Sequence, residues 1–167
     1  IFSMSIGTSI CSFTGQMLAM LSLPFFLQET LKRSDVTTGL LLTPWPIATM
    51  IIAPLAGRLV ERIHAGILGS IGMTIFAIGL FLLAVLPSNP TNMDIIWRLF
   101  ICGSGFGLFQ TPNNSTIISS APSNRSGGAS GMLGTARLLG QTLGATQVAM
   151  IFYLVPINSS QTCLYSA

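Results

Sequence analysis

Six polar side chains stand inside stretches that are otherwise apolar: Gln16, Gln110, Asn113, Asn114, Arg137 and Gln141. An amide or a guanidinium in hydrocarbon carries a free-energy cost unless water or another polar group meets it. Such groups at membrane depth therefore mark solute paths, wet cavities or bonds between helices. Arg137 is predicted about two turns inside its helix, from where it either reaches back along its stem to the near surface or faces a wet cavity. Asn113 and Asn114, beside Pro112, are placed either to bond between helices or to line such a cavity. These groups can hold a solute, but they do not make a reaction centre. His64 is the single histidine and falls in a polar connection, so no Ser/His/Asp arrangement can form within this sequence. A phosphate loop of the G-x-x-x-x-G-K-[ST] form is absent. Cys11, Cys102 and Cys163 lack the C-x-x-C spacing of a metal or redox site, and Cys11 and Cys102 read as small apolar packing residues. No catalytic residue, metal site or cofactor is expected. Nor is there a basic run, which argues against nucleic acid as a partner.

The elements that must position these side chains are five long apolar stretches, 1–27, 39–57, 66–86, 95–118 and 129–155. A hydrocarbon layer about 30 Å thick takes roughly 20 helical residues to cross. In lipid only helices or closed barrels satisfy their own backbone, and these runs are too long and too evenly apolar for barrel strands. Half of all residues are hydrophobic and 7% are charged, against about 25% charged in a soluble domain. The fold class is therefore all-α: a polytopic transmembrane bundle of about five spanning helices, with the lipid bilayer as its solvent. Ile1 already lies inside an apolar run, without the charged region and small-residue cleavage site of a signal peptide, so a piece of a longer protein is expected.

The connections are polar. Gln28–Thr38 is expected to lie in water, and Arg58–Ala65 and Pro87–Asp94 join later helices. Arg58, Arg62 and Arg125 on one side against Lys32 and Arg33 on the other give a slight bias toward a cytoplasmic placement of the former. Pro44, Pro46 and Pro54 are expected to bend the second helix. Gly103/Gly107 and Gly140/Gly144 have the G-x-x-x-G spacing that lets helix backbones approach closely, and read as packing faces. Glu29, Asp35, Glu61 and Asp94 are the acidic residues, and each falls in a connection or at a helix end. A proton-driven pump needs a carboxylate or histidine shifted by burial, so any such group is expected outside this chain.

The stretch Pro54–Arg62 (P-L-A-G-R-L-V-E-R) resembles the cytoplasmic loop signature G-x-x-x-[DE]-R-x-G-R-[KR] of the major facilitator superfamily. Gly57, Glu61 and Arg62 match its first half, while His64, Ala65 and Gly66 depart from its second, as is common in the carboxy-terminal copy. Gly103–Asn114 (G-S-G-F-G-L-F-Q-T-P-N-N) resembles that family's glycine-rich helix ending in proline, and Gly127–Gly144 its following A-S-x-x-x-x-x-x-R-x-x-G-x-x-x-G helix, in the fourteen-helix drug/proton antiporter branch. Within it, the chain looks closest to exporters of methyl viologen and quaternary ammonium compounds.

The resemblance implies part of the carboxy-terminal bundle, residues 1–167, of a multi-pass transporter of the bacterial inner membrane. Such a protein exports lipophilic, cationic drugs by proton antiport with alternating access, and its amino-terminal helical bundle is the missing partner. The substrate path implied by the resemblance, together with the polar groups above, comprises Gln16, Met17, Met20, Phe106, Gln110, Asn113, Asn114, Arg137 and Gln141, with Phe13, Trp45 and Phe109 as further ring surfaces for a drug. The loop residues Gly57, Glu61 and Arg62 would serve the conformational cycle. The other reading the sequence leaves open is a membrane interaction or assembly fragment without transport.

Overall fold

Backbone hydrogen bonds that must be satisfied internally leave the helix as the natural element for such a sequence, and every regular element among the described residues is helical. The computed structural model describes residues 2–30, 32–87, 90–119 and 126–154. Arg125 of the charge tally and Cys163 lie outside the described residues. The elements are α1 (Phe2–Phe25), α2 (Asp35–Leu42), α3 (Pro44–Val60), α4 (Ala65–Ala84), α5 (Asn92–Ser119) and α6 (Ser126–Leu154).

The ends of these helices follow from local chemistry. Pro24 has no N–H to donate one turn back, and directly after it the ladder rewinds into a single π-helical segment, Phe26–Thr30. Lys32 then takes a positive φ of 51°, and the Arg33 N–H donates to the Leu27 carbonyl at 3.0 Å, closing the helix end. The expectation of a watery connection through Thr38 is corrected here. Ser34 caps α2 by accepting from the Thr37 N–H at 3.4 Å, and Asp35 opens its first turn, so the helix begins before Gly39. The expected bending of the second span by three prolines reduces to one break. Pro44 stands at the first position of α3, where its missing N–H costs nothing, and the chain is interrupted at Thr43; Pro54 stays inside α3, which runs unbroken to Val60. Arg98 on α5 closes the end of α4, its Nη1 donating to the carbonyls of Leu82 at 2.8 Å and Val85 at 3.4 Å.

Three stretches, Ser3–Gln28, Asp35–Val60 and Ala65–Ala84, are long and apolar enough to cross a bilayer. The expected number was five. With 28 and 29 residues, α5 and α6 have the length, but glycine, serine, threonine and amides dilute their apolar content, and they fall outside that group. In α5 the reason is position: neighbours cover it on several sides, so its surface meets protein more than lipid.

Glycines set how the helices cross. A Cβ on Gly140 would stand 2.6 Å from the Ile10 carbonyl oxygen, and one on Gly144 2.6 Å from that of Thr14. Gly103 meets the Trp45 carbonyl and Gly107 the Thr49 backbone in the same manner. Both crossings carry a matching hydrogen bond at 3.1 Å, from Thr14 Oγ1 to the Gly140 carbonyl and from Thr49 Oγ1 to the Gly103 carbonyl. Both G-x-x-x-G pairs are thus packing faces, as expected from spacing. Contacts rise together in residue number along α1 with α6 and along α3 with α5, so those pairs are parallel. Against α4 they run oppositely, Gly72 meeting Phe109 and Gly79 meeting Cys102, so α4 and α5 are antiparallel. Long helices, with α2 and α3 taken as one interrupted run, therefore alternate in direction along the chain.

Where α1, α3, α4 and α5 converge, the core is aromatic. Phe106 lies 5.6 Å from the rings of both Phe13 and Phe76, and Trp45 stands edge-on to Phe76 at 5.8 Å. Gly103→Ala and Gly140→Ala each press a methyl group on a facing carbonyl and are expected to lower the stability of the full-length protein by about 1–3 kcal/mol. Gly7→Ala, whose Cβ meets nothing within 4 Å, is expected to leave it unchanged or raised. Melting temperatures in detergent of the three variants check this ordering.

Candidate functional site

Among the hollows between the described helices, three differ in their chemistry. One of about 460 Å³ between α1 and α4 is walled by Leu18, Leu23, Leu80 and Leu83, and its Ser22 hydroxyl returns to the Leu18 carbonyl. Another of about 600 Å³, nearer the starts of α1 and α4, contains Thr8, Ser70 and Thr74, whose hydroxyls all bond to carbonyls of their own helix. Neither offers spare directional bonding from those groups. The third, of about 220 Å³, is different.

That third cavity is formed by α1, α5 and α6, and the side chains converging on it are Arg137, Gln110, Asn114, Phe13, Ser130 and Leu133, with Gly134 completing the wall. On α6, residues 130, 133, 134 and 137 recur at helical spacing and so share one face. On α5, Gln110 and Asn114 stand one turn apart. The Gly140/Gly144 crossing with α1 fixes the rotation of α6 and brings its Arg137 face over Phe13. The guanidinium carbon lies 5.6 Å from the Phe13 ring centroid, within the range of a cation–π contact. Phe13 itself is buried, while Arg137 is exposed and Gln110 and Asn114 are half-buried. At 1.5 Å per residue, Arg137 and Phe13 each stand roughly 16 Å along the axis from the start of their helices. Gln110, Asn114 and Arg137 make no side-chain hydrogen bond or ion pair among the described residues.

The other sequence-derived path residues go elsewhere. Asn113 is buried and its Nδ2 donates to Ser9 Oγ at 2.6 Å, which makes it a bond between α5 and α1. Phe106 is buried behind Phe13 in the aromatic core, with Trp45 and Phe109 also buried. Met20 packs against that core, and the Met17 Cβ faces Gly144 at the α1–α6 crossing. Gln16 is half-buried on α1, and Gln141 is half-buried one turn beyond Arg137, outside the cavity wall. Of the loop signature, Gly57 lies within α3, and Glu61 and Arg62 are exposed after it with no ion pair among the described residues. Sequence reasoning missed Ser130, Leu133 and Gly134 as walls; counting back from Arg137 in helical steps would have found them. It also missed Ser9, whose signal was a hydroxyl within an apolar run.

A family model for the Major Facilitator Superfamily matches residues 1–145. The chain is 62% identical over its whole length to the "Uncharacterized transporter YebQ" of Escherichia coli, covering 36% of that protein. It is 32% identical over 86% of its length to the "Multidrug resistance protein Stp" of Mycobacterium tuberculosis, covering 26% of it. Over 82% of its length it is 31% identical to the "Riboflavin transporter RibZ" of Clostridioides difficile, covering 30% of that relative. The chain thus spans about a third of the length of these relatives or less. No solved structure matches it.

Ser9 and Asn113 give a check on the frame of the site. Ser9→Ala and Asn113→Ala are each expected to destabilise the full-length protein, and the double variant to lose less than the two losses added. A coupling of about 0.6–1.7 kcal/mol is expected from a thermal-unfolding cycle for such a bond between membrane helices. Fully additive losses would mean that the bond contributes nothing.

Proposed function

The chain belongs to the major facilitator superfamily of membrane transporters, and from that premise we propose that the full protein is a secondary-active exporter of lipophilic drugs, cationic ones included, driven by proton antiport through alternating access. In this reading the chain is part of the carboxy-terminal bundle of a multi-pass protein of the bacterial inner membrane, in the fourteen-helix branch. The amino-terminal bundle would supply the other wall of the path, with substrate held near the midplane between the two.

The single observation that carries this reading is the cavity at mid-helix depth in which a guanidinium and two amides with no partner among the described residues surround a ring. A purely structural bundle gains little from such groups, because each costs free energy in lipid and the two amides make no side-chain bond between helices among the described residues. The alternation of helix direction fits repeated crossings of a bilayer, and relatives named for multidrug resistance and efflux support the substrate class. The counter-charge for a cationic drug belongs to the rest of the protein, since Arg137 is the charged side chain in this cavity wall. The proton-carrying group also belongs there: Asp35 and Asp94 stand in first turns of α2 and α5, Glu61 follows α3, and Glu29 lies in the π-helical segment after α1. Glu61 and Arg62 would make contacts at the cytoplasmic helix ends that loosen as the protein opens outward.

The test is accumulation of ethidium in an efflux-deficient cell. Full-length protein is expected to lower accumulation several-fold and an uncoupler to abolish the difference. Gly134 lines the cavity and a Cβ on it would meet nothing within 4 Å, so Gly134→Phe is expected to fill the space without disturbing the fold. Its cells should accumulate as much dye as cells lacking the protein, at equal membrane abundance. Accumulation that ignores the full-length protein, or export that ignores the uncoupler, would sink the reading.

A further inference from the structure

We infer that the α1–α5–α6 cavity is a subsite for a planar anionic oxygen group on the transported molecule, a carboxylate above all, received by Arg137. The inference rests on the transport reading above and adds to it the chemistry of one recognised group.

The charge in the cavity points this way. Arg137 has no carboxylate partner among the described residues, and no acidic residue lines the cavity with it. Another arginine within a helix differs: Arg98 spends its Nη1 on the carbonyls of Leu82 and Val85 at the end of α4. Arg137 therefore keeps a planar fork of donors for a ligand, and that fork matches the two oxygens of a carboxylate. Phe13 lies below it at 5.6 Å. Gln110 and Asn114 border the same space from α5, and an amide can donate to an oxygen or accept from a neighbouring N–H or O–H. Arg137 itself offers a quaternary or protonated amine no bond, so a cationic dye that passes this space does so without the guanidinium.

Size narrows the occupant further. A pocket that engulfs a drug-sized molecule occupies about 300–1,000 Å³, whereas this one holds about 220 Å³. The part that these three helices enclose takes a head group, and the rest of the transporter would complete the space for the apolar body behind it.

The test uses two dyes with one xanthene core, rhodamine B with its free carboxylate and its ethyl ester without it, in energised everted vesicles carrying the full-length protein. Wild type is expected to transport the acid. Arg137→Gln is expected to cut transport of the acid roughly tenfold or more, the loss typical of a removed charge-assisted bidentate contact, while ester and ethidium stay near their wild-type rates. Arg137→Lys, which keeps a charge without the fork, is expected to fall between. Loss of all dyes together at equal membrane abundance would overturn the inference and make Arg137 part of the frame or the coupling. So would unchanged acid transport in Arg137→Gln, or a wild type that moves ester or ethidium but not the acid. A wild type that moves none of the three under a proton gradient fails the transport reading itself, and the subsite with it.

Discussion

Backbone-to-backbone contact at glycine is the constraint on which the rest of this structure depends. In lipid, apolar side chains gain little by leaving their surroundings, so helices hold together through close van der Waals approach and the few polar bonds it permits. The chain makes that approach twice in the same form, α1 on α6 at Gly140 and Gly144, and α3 on α5 at Gly103 and Gly107, each with a threonine hydroxyl reaching the facing carbonyl. Gly72, Gly79 and Gly105 add a third seam, between α4 and α5. Each seam fixes the rotation of a helix about its own axis. With α5 turned to put Gly103 on α3 and Gly105 on α4, its remaining face delivers Phe106 and Asn113 to α1 and leaves Gln110 and Asn114 beside the cavity. The site is a consequence of where side chains are absent.

Much of this was legible in the sequence, and what was not has physical causes. The all-helical class followed from run length, because nothing except an internal hydrogen-bond ladder works at that apolarity, whereas three stretches meet the length and apolarity of a span where five were expected. Helix ends were less legible. Ser34 and Asp35 started a helix within a stretch whose charges suggested water, since a cap outweighs composition over a single turn. The place of the proline break was also hard to read: Pro44 begins α3 after an interruption at Thr43, and the missing donor at Pro24 is followed by one π-helical segment. Among the path residues, Gln110, Asn114 and Arg137 do converge, because polar groups at mid-depth are driven toward one another or toward water. The aromatic and sulfur side chains did not join them. Phe106, Trp45 and Met20 serve the core, and single-residue chemistry cannot say which way an apolar side chain faces when every direction is apolar.

Many polar residues of the interior belong to the frame, although Trp45 Nε1 and Arg98 Nε are buried without a partner away from the cavity. Asn113 with Ser9, Thr14 with Gly140, Thr49 with Gly103 and Arg98 with the end of α4 are matched within the protein. They set register between helices that apolar contacts alone would let slide. Gln110, Asn114 and Arg137 are not matched among the described residues, and all of them border the same cavity. Unmatched groups scattered singly would read as local cost. Gathered on one space by three helices, they read as a surface meant for something that comes and goes.

Magnitudes show why Arg137 needs that something. An arginine at the centre of a membrane helix costs about 2.5–3.5 kcal/mol on insertion scales. Its position over Phe13 returns about 0.5–2 kcal/mol. The ring contact alone therefore leaves a deficit. Water in the cavity or an acceptor on a bound molecule can each meet the same donors. A group that is stable hydrated and stable bonded, but not stable dry and alone, favours exchange of one state for the other. That exchange is the elementary step a carrier site needs, and the packed glycine seams around it let the donors stay in place while it happens.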